Sequence, residues 1–198
     1  YGARVEALKA RLQLELPVLV LAIDEAQKTM ETALRICASC AEHGIGRTDA
    51  LLALGGGVCM DLVAVAASLV RRGIAYVRMP TTFVGQIDAG IGIKGAVNFQ
   101  GAKSYLGCFR PPESVFVDPA FLVTSPTVSL LDGIAETIKI ALIVDPHLFA
   151  TVERHGQELL AARFGGPDAM VRDILTRAIR GMLDQLSPNF FEDRSYQR

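Results

Sequence analysis

Several groups of residues in this chain of 198 have the types and spacing for chemistry. Gly55-Gly56-Gly57 stands between a short apolar run and an alanine- and valine-rich helical run. Glycines at such a junction let the backbone approach a phosphate closely, and the helix that follows offers free N–H groups and the positive end of its dipole. The pattern is not G-x-G-x-x-G, so the ordinary dinucleotide fingerprint is absent, and a plain tight turn would read the same way. Pro80-Thr81-Thr82 closes the next apolar run. Hydroxyls there sit where open α/β sheets bind ligands, although threonine is also a common cap. Asp88, Lys94 and Lys103 lie among glycines. Lysines in that setting neutralise phosphate or an enolate-like charge, or are simply solvated loop charges. Further on, Asp132-Gly133-Ile134-Ala135-Glu136-Thr137-Ile138-Lys139 puts positions 132, 136, 139, 140 and 143 on one helix face. Glu136 and Lys139 thus stand beside Ile140 and Ile143. Charges in apolar surroundings call for partners such as a metal and an anionic substrate, but a surface ion pair three residues apart fits equally well.

The elements that must position these groups follow from periodicity. Arg4–Leu14 reads as a helix and Val18–Ile23 as a short buried strand. Asp24 and Thr29 flank the entry to a second helix that runs through Leu34, Ile36 and Cys40 and stops at His43-Gly44. Ala50–Leu54 and Ala75–Met79 read as strands, with a helix over Asp61–Arg71 between them. Alternation at this spacing argues for parallel α/β architecture. Gly85 to Gly107 holds six glycines and no long apolar run, so it reads as loop and short turns, of a length usually reserved for function. Ser114–Val117 is a further strand. Beyond Pro126 the pattern is helical, clearest over Ser129–Ile143 and Met170–Leu186, with Pro188 as punctuation. A boundary near residue 125 divides an α/β part from an all-helical part.

Bulk properties exclude several classes. A formal net charge of −1 carries no electrostatic footprint for nucleic acid or an anionic membrane surface. The longest apolar stretch, Leu16–Ile23, is interrupted by Pro17 and is far too short to span a bilayer. No secretory signal pattern opens the chain, so a soluble, cytoplasmic protein is expected. Cys37 and Cys40 form a C-x-x-C within a helical run and lack a second ligand pair, which favours small buried side chains over a zinc or redox site.

Taken in order, Gly-Gly-Gly-Val-Cys-Met-Asp, Pro-Thr-Thr-Phe-Val-Gly-Gln-Ile-Asp, Gly-Ile-Lys-Gly-Ala-Val-Asn, Ala-Lys-Ser-Tyr-Leu-Gly and Gly-Ile-Ala-Glu-Thr-Ile-Lys resemble the 3-dehydroquinate synthase superfamily over essentially the whole chain. Within it, residues 24–31, 68–73, Asp88-Ala89-Gly90 and Leu183–Asp193 are more similar to the sedoheptulose 7-phosphate cyclases, the valiolone and gadusol-type synthases. The resemblance implies a Rossmann-like NAD-binding α/β domain over residues 1–124. It also implies the start of an all-helical metal- and substrate-binding domain over 125–198, a dehydroquinate synthase-like fold truncated at both ends. NAD would meet Asp24, Glu25 and Lys28 on its adenosine side. Its pyrophosphate would meet Gly56, Gly57, Val58, Cys59, Met60 and Asp61, with further contacts from Thr81, Thr82, Lys94, Lys103 and Phe121, Leu122, Val123 and Thr124. Asp88, Lys94, Lys103 and Lys139 would face the sugar phosphate, and Glu136 would be the one carboxylate ligand of a divalent metal, zinc or cobalt. A homodimer is implied as well.

In this family NAD oxidises a ring hydroxyl, phosphate is eliminated, hydride returns, and an intramolecular aldol step closes the carbocycle. The departures are Lys94-Gly95-Ala96 where the family has Lys-Thr-Gly, and Lys103-Ser104 where it has Lys-Asn, a side-chain amide that touches substrate. The family's two histidine ligands belong to a Gly-His-x-Phe region that lies beyond Arg198, and His43, His147 and His155 do not match them. Three alternatives remain at this stage: a true 3-dehydroquinate synthase, a polyol or alcohol dehydrogenase of related architecture, and a non-catalytic NAD-binding remnant.

Overall fold

A computed structural model describes residues 1–165 and 168–187. Its first helix, α1, spans Gly2–Leu12 and ends where Gln13 turns left-handed at φ 52°. The next apolar run does not become the expected strand. Residues 14–24 carry no regular structure, and Val18, Leu19 and Val20 are exposed, because no strand pairs with them among the described residues. Asp24 then caps a tight turn at Glu25–Gln27, with Gln27 reaching back to the Asp24 amide in a capping box. Thr29 caps α2 (Met30–Glu42), which Gly44 terminates at φ 66°.

A strand, helix, strand unit forms the centre. Strand β1 (Ala50–Gly55) pairs in parallel with β2 (Ala75–Pro80), from Ala50 opposite Ala75 to Gly55 opposite Pro80. Helix α3 (Gly57–Leu69) is the crossover that parallel strands require. It begins four residues earlier than the sequence suggests, directly on the glycine triplet. Residues Leu62 to Ala67 of α3 are all buried, and the alanines let neighbouring backbone come close. Two exposed arginines, Arg71 and Arg72, take left-handed φ on the way to β2.

The glycine-rich stretch corrects the loop reading. Gly85–Ala89 is a wide π-type turn, and β3 (Lys94–Phe99) with β4 (Ala102–Phe109) makes an antiparallel hairpin. Its two-residue turn, Gln100-Gly101, has positive φ at both positions, as tight hairpins require. The strand foreseen at Ser114–Val117 contracts to β5 (Ser114–Val115), beside β2. A capped 3₁₀ segment, Pro119–Thr124, leads into α4 (Thr127–Val144), α5 (Pro146–Ala161) and α6 (Asp168–Leu186). The Pro188 punctuation and the end of the Leu183–Asp193 segment lie outside the described residues.

Two apolar clusters hold this together. One joins α2, α3, β1 and β2 through Ala33, Ile36, Met60, Leu62 and Tyr76, with Val97 from the hairpin. The other joins α4, α5 and α6 through Leu130, Ile140, Leu148, Leu159 and Ile174, and takes Phe83 and Ile87 from the segment after β2. Cys40 is buried and Cys37 half-buried on α2, all four cysteines are free, and burial raises both α2 thiols. Among the described residues, no helix is long and apolar enough to cross a membrane.

Candidate active site

The glycine turn and the paired threonines meet at the carboxyl ends of β1 and β2. The Thr81 amide donates to Gly55 O at 2.8 Å, and a Cβ on Gly56 would stand 3.0 Å from Thr82 Cγ2. A Cβ on Gly57 would lie 3.4 Å from Ala89, so the residue after Asp88 abuts the same turn. Gly56 is the N-cap of α3, and no side chain caps that end. The first N–H groups of a helix have no partner within it, so this terminus can accept an anion. The side chains just beyond it turn inward. Met60 is fully buried, and burial pushes the Cys59 thiol up to about 11. The polar groups left at this terminus are therefore backbone N–H groups of the Gly57–Cys59 turn. Thr81 is buried, and Thr82 Oγ1 accepts from the Gly85 amide at 3.2 Å.

Asp88 lies in the π-type turn and Lys94 opens β3, and the segment that joins them is fixed from below by a residue that sequence reasoning missed. Arg78, on β2, is wholly buried. Its Nη1 donates to Ala89 O (3.2 Å), Gly90 O (3.3 Å) and Gly92 O (2.5 Å), and Nη2 donates to Lys94 O (2.9 Å). Gln86, also buried, donates from Nε2 to Pro80 O and Asp118 O and so joins the end of β2 to the chain after β5. An arginine inside an apolar strand was the available signal for the first of these.

The third convergence lies at the hairpin. Opposite Asn98, β4 carries Lys103, Ser104 and Tyr105, so the pairing slips between Val97 and Phe99 and β4 bulges. Bulges re-aim side chains, and this one presents Lys103 and Ser104. Ser104 is left-handed at φ 52°, its amide donates to Asn98 Oδ1, and its hydroxyl accepts from Lys28 Nζ at 3.1 Å. Asn98 Nδ2 in turn donates to Glu25 O and Oε1, and its amide donates to Lys28 O. Lys103 stands 3.8 Å from Glu25, with its own side chain mostly in solvent. Lys28 is buried and forms a 2.5 Å ion pair with Asp61. Burial raises the Asp61 carboxyl, and Lys28 offsets part of that rise. Residues 24–28, the second turn of α3 and the hairpin bulge thus form one polar network, in which Lys28 and Asp61 satisfy each other.

Phe121–Thr124 divides between surface and core. Leu122 is fully buried, Val123 and Thr124 are exposed, and Phe121 meets the Tyr1 ring edge-on at 5.1 Å. Val123 O accepts from Arg163 Nε at 2.9 Å. On α4, Glu136 is mostly covered and accepts from Lys139 Nζ at 2.6 Å. Ile140 is buried while Ile143 is exposed, so Glu136 and Lys139 lie at the edge of the apolar face. The ion pair foreseen as the plainer reading is formed. Among the described residues, no group of three histidine, cysteine or acidic side chains could hold a metal, and Glu136 alone does not make a site.

A strand–helix–strand unit with a glycine N-cap defines an α/β nucleotide-binding class of fold. The family profile for the N-terminal part of 3-dehydroquinate synthase matches residues 18–132. A 2-epi-5-epi-valiolone synthase of Streptomyces albus is 42% identical over 197 residues, which is 97% of this chain and 48% of that protein. A 3-dehydroquinate synthase of Zymomonas mobilis is 39% identical over 142 residues, 72% of this chain and 38% of that one. The solved 2-epi-5-epi-valiolone synthase of Streptomyces hygroscopicus subsp. jinggangensis, with NAD+ and Zn2+ bound, superposes with a TM-score of 0.93 at 40% identity. That match covers 98% of this chain and 54% of the other. The chain belongs to the 3-dehydroquinate synthase family, and it spans about half the length of the curated relatives it matches.

Proposed function

We propose that this chain forms the NAD-binding part, residues 1–124, and the beginning of the metal- and substrate-binding part, from 125, of a sugar phosphate cyclase. The whole protein would convert a seven-carbon sugar phosphate, sedoheptulose 7-phosphate, to a cyclitol with loss of phosphate. One observation carries this reading. The uncapped glycine terminus of α3, the paired threonines and the Asp88-Ala89 turn meet at one sheet edge, which suits a pyrophosphate and a reacting ring side by side. The full-chain similarity to valiolone synthases, broader than that to the 3-dehydroquinate synthase of Zymomonas mobilis, supports the choice of substrate.

NAD fits the residues present, because backbone N–H groups of Gly57, Val58 and Cys59 lie at a helix end that no side chain caps. When bound, it would supply the reversible oxidation of one ring hydroxyl. Asp24, Glu25 and Lys28 would meet its adenosine side, with Lys28 held by its ion pair to Asp61 at the pyrophosphate turn. Asp88 would face the reacting carbon, and Lys94, Lys103 and Lys139 would hold phosphate and developing negative charge. Glu136 would be one ligand of a zinc or cobalt ion. The described residues do not complete that site. In the same reading the whole protein is a cytoplasmic homodimer, with neither nucleic acid nor membrane as partner.

The test offers the product of the complete reading frame, with NAD and zinc, sedoheptulose 7-phosphate and the dehydroquinate precursor in parallel. Phosphate released from the first and a cyclitol product are expected. Release from the dehydroquinate precursor alone would replace this reading with that of a 3-dehydroquinate synthase.

A further inference from the structure

We propose that Arg78 is a positioning residue, which holds the segment carrying Asp88 and Lys94 in the geometry the reaction needs. It touches neither cofactor nor substrate. The proposal rests on the cyclase reading for the chemistry of Asp88 and Lys94, and on the structure of this chain for the geometry.

Backbone bonds give residues 89–94 part of their hold, since Gly90 N donates to Gly85 O and Ile93 O accepts from Arg110 N. Asp88 O accepts from the amides of Ile91 and Gly92, but the carbonyls of Ala89, Gly90, Gly92 and Lys94 all turn to a single guanidinium. Four backbone carbonyls on one cation fix where the chain leaves the turn and where β3 begins. Those points lie one residue after Asp88 and at Lys94 itself. Gly90 has no room for a side chain, because a Cβ there would collide with Gly85 O and press on Pro80. The cation itself is rigidly seated. It is carried by β2, wholly buried, with its Cζ 5.3 Å from the Tyr76 ring centroid. The Tyr76 hydroxyl donates in turn to Arg110 O, just past the end of β4.

The planar fork matters as much as the charge. Arginine presents five donors in fixed directions, whereas lysine is a point charge with three. Lysine at this position can neutralise the cluster of carbonyls but cannot reach from Ala89 to Lys94 at once. The glycine turn meets the segment held by Arg78 at one place, the Cβ position of Gly57 3.4 Å from Ala89, and its other contacts run to Thr81, Thr82 and Cys59. Loss of the fork should therefore cost catalysis far more than NAD binding, whose expected contacts other than Lys94 lie outside the segment that Arg78 holds.

The test uses Arg78→Lys and Arg78→Gln in the complete protein. In both, kcat for phosphate release should fall about 30- to 100-fold, the cost typical of a displacement of about 1 Å. NAD affinity by calorimetry should stay within about threefold. Hydrogen exchange should quicken in the peptide covering residues 88–97, and not in peptides from β1 or α3. Wild-type kcat in Arg78→Lys would overturn the proposal, as would NAD affinity and kcat falling by the same factor. Loss of a cooperative melt in both variants would make Arg78 a determinant of the fold and overturn it too. The exchange measurement needs no substrate, so unchanged exchange at 88–97 would sink the proposal even if the wild-type protein proved inactive on every sugar phosphate. Inactivity of the wild type with quickened exchange in the variants would instead count against the cyclase reading alone.

Discussion

The Lys28 ammonium and the Asp61 carboxylate lie 2.5 Å apart with little water on either. Removing one partner of such a pair leaves the other buried and uncompensated, at a cost of about 3–5 kcal/mol. Lys28→Met should therefore lower unfolding free energy by about that amount in urea melts, and Lys28→Met with Asp61→Leu should recover most of it. Full additivity of the two losses would contradict the coupling. The pH behaviour has a definite sign. Burial holds the Asp61 carboxyl above the ordinary 3.8, so the native state keeps its proton more tightly than the unfolded chain does. Its contribution to stability thus falls as pH rises through the interval between the ordinary and the raised value, and Asp61→Asn should remove that slope. Gly57 offers the sharper functional test. Its Cβ position meets only Ala89 at ordinary contact distance, so Gly57→Val should keep a cooperative melt. The branched side chain would cover the α3 terminus, and calorimetry should find NAD binding abolished. Undiminished affinity would remove the pyrophosphate from this turn.

At the scale of elements, packing against glycine decides more than apolar periodicity does. Gly133 of α4 lies against the Phe83 ring, with no space for a Cβ. Gly133→Ala should destabilise the fold by about 1–3 kcal/mol, the usual cost of overpacking, and should disturb Glu136 one turn further along. A wild-type melting temperature in that variant would show that α4 does not depend on this approach. The same feature explains what the sequence concealed. Strands β1 and β2 and helices α2, α4 and α6 announce themselves through the spacing of their apolar residues. The hairpin does not, since Gly95 must pass 2.5 Å from Ala64 Cβ in any substituted form and Gly107 lies directly against Gly95 O. Residues chosen for close approach look like loop. The converse error falls at Val18–Ile23, whose composition suits a buried strand but which has no paired neighbour among the described residues. The site was legible where its motif is local, at Gly55–Gly57 and Thr81-Thr82. It was hidden where the local geometry rests on a bulge at Lys103–Tyr105, or on a buried cation reaching across to four carbonyls.

In the whole molecule the chain passes from one apolar cluster to the other after β2, where Phe83, before the π-type turn, and Ile87, within it, already belong to the cluster of α4, α5 and α6. In the proposed reading nucleotide and metal chemistry fall on opposite sides of that passage, and among the described residues no group of three side chains could hold a metal. The 198-residue chain should accordingly retain far less than stoichiometric zinc after dialysis, and Glu136→Gln should not change that amount. Tight, stoichiometric zinc in the isolated chain would move the metal site elsewhere. The hairpin tip has an optical consequence. The sequence has no tryptophan, so near-ultraviolet emission comes from its four tyrosines. Tyr76 is buried, with its phenol donating to a carbonyl, whereas Tyr105 is exposed and stacks on Phe99 at 6.2 Å, one residue from Ser104. Light emitted by Tyr105 therefore originates at the bulge that presents Lys103, and the chain carries its own lamp beside the wall where the adenosine would lie.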